Sequence, residues 1–252
     1  MDGIQYDGFY ARLSGNSPVV ATAIHAGSRI RKELQPYLLA DDYLRRSEED
    51  YGTSLLIESC PDIVLADDSR AEYDINRDRE ITLPLTAERF WGIQIYKEPP
   101  PDEINRRTLA KYDHFHNFMA DYTLAMAEKF GRCYVFDIHS FNPSRQVEKG
   151  LDPVPLFCVG TRNVLPHYRD RADELIRKIS ALEIPGLVNH TRENQPFGGG
   201  VFGRRLVEND SRVCVFSIEV AKFYMDEKTQ LIDFGILQSI GRGLSGIIKE
   251  WK

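Results

Sequence analysis

Apolar and polar positions divide this chain into short apolar runs that end in polar residues and longer stretches with helical periodicity. Cys133-Tyr-Val-Phe-Asp-Ile-His-Ser140 has the β-branched and aromatic content of a central strand and finishes in Asp137, His139 and Ser140. Residues two apart share a face of a strand, so Asp137 and His139 point the same way. In α/β sheets, ligands gather beyond the carboxyl ends of such strands. Val19-Val-Ala-Thr-Ala-Ile-His25-Ala-Gly27 repeats the pattern. Gly27 permits a tight turn into residues 29–39, where Ile30, Leu34 and Leu38 have helical spacing. Further strands are predicted at 62–66, 154–160 and 213–220, the last carrying Glu219 near its end.

The longest helical pattern runs over 102–130, after the Pro99-Pro-Pro101 stop. Leu109, Tyr112, Phe115, Phe118 or Met119, Tyr122 and Met126 recur at intervals of three and four, and Gly131 closes it. His114 and His116, two apart, fall on nearly opposite sides of that helix and cannot chelate one metal together. Helices are also predicted at 168–182, with Ala172, Leu175, Ile176 and Ile179 inward, and at 231–251, with Phe234, Leu237, Ile240, Leu244 and Ile247 inward. A long helix followed at once by an apolar strand is the crossover that builds a parallel or mixed sheet, which makes the chain α/β.

At 252 residues the chain can form one large domain or two small ones. Its 42% hydrophobic and 28% charged residues support a sizeable core and argue against long disorder. A formal net charge of -6 argues against nucleic acid as a partner. No run approaches the roughly 20 apolar residues of a membrane span, and the first ten residues lack a basic-then-apolar signal pattern, so the expected compartment is the cytoplasm. Cys60, Cys133, Cys158 and Cys214 are widely separated, and three sit in apolar runs, as buried thiols do.

Candidate chemistry collects at the ends of the apolar runs. Two histidines, His25 and His139, at the ends of separate strands make a shared metal a fair hypothesis. The acidic cluster Glu48-Glu49-Asp50 either complements a helix dipole at a helix start near Ser47 or supplies a third ligand. Charges crowd residues 67–78, a solvated edge or, through Asn76 and Arg77, a fork for a substrate carboxylate. Pro196-Phe-Gly-Gly-Gly200 reads as backbone approaching a ligand or as a flexible turn, and no Gly-Lys-Ser/Thr follows to make it a phosphate loop. Glu219 is a charge near the end of the most strand-like run in the chain, where a buried carboxylate needs a partner.

Five of these segments occur in the order found in N-formylglutamate amidohydrolases: His25-Ala-Gly27, Ser69-Arg70 with Asp74-Ile-Asn76-Arg77, Asp137-Ile-His139-Ser140, Asn194-Gln-Pro-Phe197-Gly-Gly199, and Glu219 with Phe223-Tyr-Met-Asp-Glu227. The chain resembles that family from about residue 18 to 248. The family is similar to zinc carboxypeptidases, which implies a phosphorylase/hydrolase-like fold, a mixed sheet sandwiched between helices, forming one catalytic domain over residues 1–252. Ile24 stands where many members have proline, and Ala26 where serine is usual.

The resemblance also implies a single zinc ion held by His25, His139 and Asp50, with Glu49 as the alternative to Asp50. It makes Glu219 the acid/base, and Arg77 with Asn76 the holders of a substrate carboxylate. Arg70 or Arg192 would stabilise the oxyanion or a second carboxylate, and Asn194 and Gly199 would wall the pocket. The implied activity is hydrolysis of an N-formyl or N-acyl amino acid, deformylation of N-formylglutamate being the type reaction. A carboxypeptidase-like action on a short peptide, or a silent protein binding an acidic ligand, would keep the same core residues.

Overall fold

The computed structural model describes residues 3–251; residues 1, 2 and 252, the extremes of the range expected to form one domain, lie outside the described residues. In chain order the strands are β1 (Ile4–Gln5), β2 (Phe9–Arg12), β3 (Val19–Ala23), β4 (Ile63–Ala66), β5 (Cys133–Phe141), β6 (Phe157–Gly160), β7 (Thr191–Glu193) and β8 (Val213–Ala221). The α-helices are α1 (Asp42–Glu48), α2 (Thr53–Ile57), α3 (Asp102–Phe130), α4 (Pro143–Glu148), α5 (Arg169–Ser180), α6 (Val201–Asn209) and α7 (Phe234–Glu250).

Among the described residues the strands form one mixed sheet of eight in the order β1-β2-β4-β3-β5-β8-β6-β7. Its centre, β4, β3, β5 and β8, is parallel. The flanks contain antiparallel pairs: β1 with β2, β2 with β4, and β6 with β8. Four carboxyl ends therefore meet on one edge of the sheet centre.

The pleat decides what each face does. Along β5, Tyr134, Phe136 and Ile138 join an apolar cluster with Leu56 of α2, Leu175 and Ile179 of α5, and Ile240 and Leu244 of α7. Cys133 and Val135 point to the other face, where they pack with Phe115 and Met119 of α3 and Phe202 of α6. That second face changes character as the strand proceeds, from Val135 to Asp137 and His139. The expected mixed sheet between helices is the observed one. A smaller cluster of Leu34, Ala40, Ala71, Phe90, Ile95 and Tyr96 lies apart from both faces and anchors the loops around residues 30–40 and 83–97.

The differences from the sequence pattern have local causes. The periodic stretch 29–39 forms only a 3-10 turn, Lys32–Tyr37, because Pro36 inside it has no N–H to donate. The strand expected from 154 begins at Phe157, after Pro153 and Pro155. The last helix starts at Phe234, where the Asp233 carboxylate accepts from Ile236 N at 3.1 Å. No helix starts at Ser47: α1 ends at Glu48, having begun at Asp42 with Asp41 capping Leu44 N at 2.8 Å. Among the described residues no helix is long and apolar enough to cross a membrane.

On α3, His116 turns inward, its ring tilted against Tyr112 and edge-on to Phe115 and Phe202. Its Nε2–H donates to the Ile75 carbonyl at 3.0 Å. Burial, helped by the Arg205 charge, pushes its pKa down to about 4 from 6.5. Below pH 6.5 the unfolded chain therefore takes up a proton that the folded protein refuses until about pH 4, and stability falls as pH drops through that window. The expected loss is on the order of 3 kcal/mol. Denaturant melts of wild type and His116→Gln between pH 7 and 4 should show a shallower decline in the variant; parallel declines would contradict this assignment.

Candidate active site

The polar turn that ends β3 and the polar end of β5 are neighbours because these strands pair in parallel, Thr22 opposite Asp137. His25, two residues beyond β3, and His139, within β5, bring their Nδ1 atoms to 3.2 Å from each other. Asp50 reaches the same point from the turn between α1 and α2, its backbone N–H donating to the His25 carbonyl at 3.0 Å. One of its oxygens, Oδ2, lies 3.0 Å from His139 Nδ1 and 3.4 Å from His25 Nδ1. Gly27 keeps the loop after β3 low: a side chain there would collide with the backbone of Asp67 and Asp68.

The far nitrogens of both rings are tied down. His25 Nε2 is 2.8 Å from Asp74 Oδ1, and His139 Nε2 is 2.8 Å from Asp137 Oδ2. Thr22 donates to the other Asp137 oxygen at 2.7 Å. With each Nε2–H given to a carboxylate, each Nδ1 presents a lone pair to the space shared with Asp50. Three donors about 3.0 to 3.4 Å apart form a triangle. A small divalent cation with tetrahedral bonds of about 2.0 Å separates its ligands by roughly 3.3 Å, so the triangle fits one. Among the described residues this buried trio is the one group of its kind.

The electrostatics point the same way. Burial alone would lower the His139 pKa, but Asp137, Asp50 and Glu219 outweigh it and raise it well above 6.5. Burial would raise that of Asp50, and the two histidines hold it far below the usual carboxylate range instead. A site that draws a proton so strongly is one that lacks positive charge.

Glu219 stands directly opposite His139 in the parallel pairing of β8 with β5. Its carboxyl lines the cavity above the trio. Desolvation pushes its pKa up to about 8; His139 and Arg70 pull it down, and Asp50 pushes it further up. The cavity, about 330 Å³, is also lined by Arg70, Asn76, Arg77, Trp91, Gly199 and Lys222. Arg70 donates to Asp74 Oδ2 at 2.8 Å and lies 3.7 Å from Asp50 Oδ1. Arg77 donates to the same Asp74 oxygen at 3.2 Å. Both guanidinium groups stack on Trp91, at 4.3 and 5.3 Å from its ring centre. Asn76 spends its carbonyl oxygen on Phe202 N at the start of α6, at 3.0 Å. Gly199, at φ 121, allows the Gly-rich turn to pass beside Asn163 and Ser217.

Three sequence-predicted residues lie elsewhere. Glu49 is buried but faces away from the trio, accepting from Ser69 Oγ and from Arg45 Nη1. Consecutive residues leaving a helix point in different directions, and here the turn aims Asp50 inward. Arg192 is on the edge strand β7, with β6 between it and β8; it donates to Gln195 Oε1 at 2.8 Å and does not line the cavity. Asn194 also lies outside the lining: its amide accepts from Thr161 N and donates to Thr161 Oγ1, both at 2.8 Å, fixing the loop after β6.

The pattern missed Asp74 as the partner of His25, and the lining residues Trp91, Glu48, Arg145 and Lys222. Lys222 had a signal, a lysine inside the apolar sequence Val220-Ala-Lys-Phe-Tyr224. Trp91 had none, since its contacts depend on a loop far from the strands.

Comparison with known proteins adds the family. The fold is similar to the crystal structure of N-formylglutamate amidohydrolase from Ralstonia eutropha, with a TM-score of 0.75 at 17% identity over 96% of each chain. It is also similar to a gene product of Agrobacterium tumefaciens, with a TM-score of 0.61 at 22% identity over 92% of each chain. No curated protein sequence matches this chain. At such identities the structural likeness is one of fold. The model of the N-formylglutamate amidohydrolase family, however, matches residues 17–225, most of the sequence and every residue of the donor trio. This chain belongs to the N-formylglutamate amidohydrolase family.

Proposed function

We propose that residues 1–252 act as one zinc-dependent catalytic domain that hydrolyses the amide of an N-formyl or N-acyl amino acid, with N-formylglutamate as the type substrate. The observation that carries the reading is the donor triangle of His25, Asp50 and His139 beside the Glu219 carboxyl, in a chain of this family. Two imidazoles and a carboxylate are a donor set that zinc takes in catalytic sites, and three ligands leave a position open. Zinc bound there would act as a Lewis acid, acidifying water toward a pKa of ~7 and polarising the amide carbonyl.

The chain's own residues supply the rest. Glu219 accepts a proton as water oxygen adds to the amide carbon, and returns it to the amine nitrogen as the C–N bond breaks, leaving a carboxylic acid and an amine. Its raised pKa suits a group that both takes and gives a proton near neutrality, and a cation beside it would draw that value down. Arg77 holds a substrate carboxylate and Arg70 faces charge developing on the amide oxygen, both kept in orientation by Asp74 and Trp91. Asn76 and Gly199 shape the pocket wall. A cavity of about 330 Å³ suits a small acyl amino acid better than a peptide. Four buried cysteines without a disulfide fit a reducing compartment, and we read the enzyme as cytoplasmic.

Elemental analysis should give about one zinc per wild-type chain, lost in His139→Ala and Asp50→Ala and kept in Glu49→Gln. Loss in the Glu49 variant alone would move the third ligand to Glu49, and a metal-free wild type unable to take up zinc would sink the reading. Glu219→Gln should keep its zinc and lose at least about 100-fold in kcat on N-formylglutamate. Wild-type turnover in that variant would remove Glu219 from the mechanism, and zinc-loaded wild type inactive on every N-acyl amino acid would leave a silent binding protein. Arg77→Ala should raise KM roughly 10- to 100-fold, as loss of a charge-assisted hydrogen bond does, while Arg192→Ala leaves KM within about twofold. The reverse ranking would contradict the assignment of the carboxylate pocket.

A further inference from the structure

Lys222 follows directly on the end of β8, three residues past Glu219, with 2% of its surface exposed. Its ammonium donates to two backbone carbonyls, Glu49 O at 2.8 Å and Ser47 O at 3.1 Å. Burial lowers its pKa, and the fields of Asp50 and Glu48 do not offset that cost. A methionine would fill the same volume without desolvating a charge, so the core gains nothing from lysine here.

The two carbonyls belong to the turn by which the chain leaves α1 and arrives at Asp50. Other donors converge on the same few atoms. Asn142 Nδ2 donates to Ser47 O at 2.9 Å, and Arg70 to Glu48 O at 3.3 Å. Arg145 grips the Glu48 carboxylate with two nitrogens, one at 2.7 Å. Lys222 alone among these bridges the carbonyls on either side of Glu48, and Glu49 O is on the peptide that leads into Asp50.

We propose that Lys222 is the positioning residue for Asp50: its ammonium fixes the 47–49 turn and thereby aims the Asp50 carboxylate at His25 and His139. The inference rests on the zinc reading, since it assigns Lys222 a task only if Asp50 is a ligand. Its sign is diagnostic. As a mere positive charge near a cation site, Lys222 would repel the metal, and its removal would tighten binding. As a clamp it holds a ligand in geometry, and its removal loosens binding, by roughly 10- to 100-fold for a partner of this kind.

The test is zinc affinity by chelator competition on the full chain, wild type against Lys222→Met, with the melting temperature of each metal-free protein measured alongside. The expected result is a Kd for zinc raised about 10- to 100-fold in Lys222→Met under conditions where both proteins are folded. An unchanged or lower Kd would overturn the proposal while leaving the metal site intact, even if the metal-free variant melted earlier. A wild-type chain that binds no zinc would instead overturn the metal reading itself. Should Lys222→Met fail to fold, Lys222→Gln is titrated in its place. Its shorter amide reaches at most one of the two carbonyls, so weaker binding is again expected and equal binding again overturns the clamp.

Discussion

The parallel pairing of β5 with β8 is the constraint on which the site depends. Nine consecutive residue pairs run in register from Cys133 and Val213 to Phe141 and Ala221, so His139 and Glu219 cannot be separated without breaking the centre of the sheet. The pleat then puts both side chains on the face that carries Val135 and Val215 four residues earlier. The same buried face that packs α3 and α6 therefore becomes polar where those helices no longer cover it. β3 pairs on the other side of β5 and brings His25 to the same edge.

Burying several ionisable groups at one edge is tolerated because the carboxylates that hold the two histidine rings are themselves well partnered. Asp74 is the clearest case. It takes His25, Arg70 and Arg77 on its two oxygens and Asn76 N at 2.9 Å, and the positive charge around it keeps its pKa well below the normal value despite burial. Asp137 accepts from His139 Nε2 at 2.8 Å and from Thr22 Oγ1 at 2.7 Å. These carboxylates do not border the centre of the donor triangle, yet they decide which nitrogen of each ring faces it. Removing one would leave a buried charge unpaired and a ring free to turn. Trp91, held in a left-handed backbone conformation at φ 51, roofs the two arginines and limits their access to water, which strengthens their hold on an anion.

The acidic turn 48–50 shows how three neighbouring carboxylates acquire three roles. Glu48 pairs with Arg145 at the cavity wall, Glu49 turns to Ser69 and Arg45, and Asp50 enters the trio. Nothing in their chemistry separates Glu49 from Asp50 as a ligand. The direction of the chain on leaving α1 does, and the donors on that turn are Arg70, Asn142 between β5 and α4, Arg145 of α4 and Lys222 just past β8.

The sequence by itself determined the class of fold, the strand ends on which His25, His139 and Glu219 lie, the long helix over 102–130, and the family. Periodicity reports which face a residue takes within its own element, and these residues owe their position to their own strand. What only the tertiary structure decided was which partners meet across elements. Asn194 opens a family motif and Arg192 lies two residues before it, but β6 intervenes between β8 and β7, which holds Arg192 and ends just before Asn194, and no local pattern encodes strand order. Asp74 against His25, Trp91 over Arg70 and Lys222 under the 47–49 turn likewise join segments from about 20 to 175 residues apart. Such contacts arise from the global packing of the sheet and its loops, a property of the whole chain that no single stretch carries.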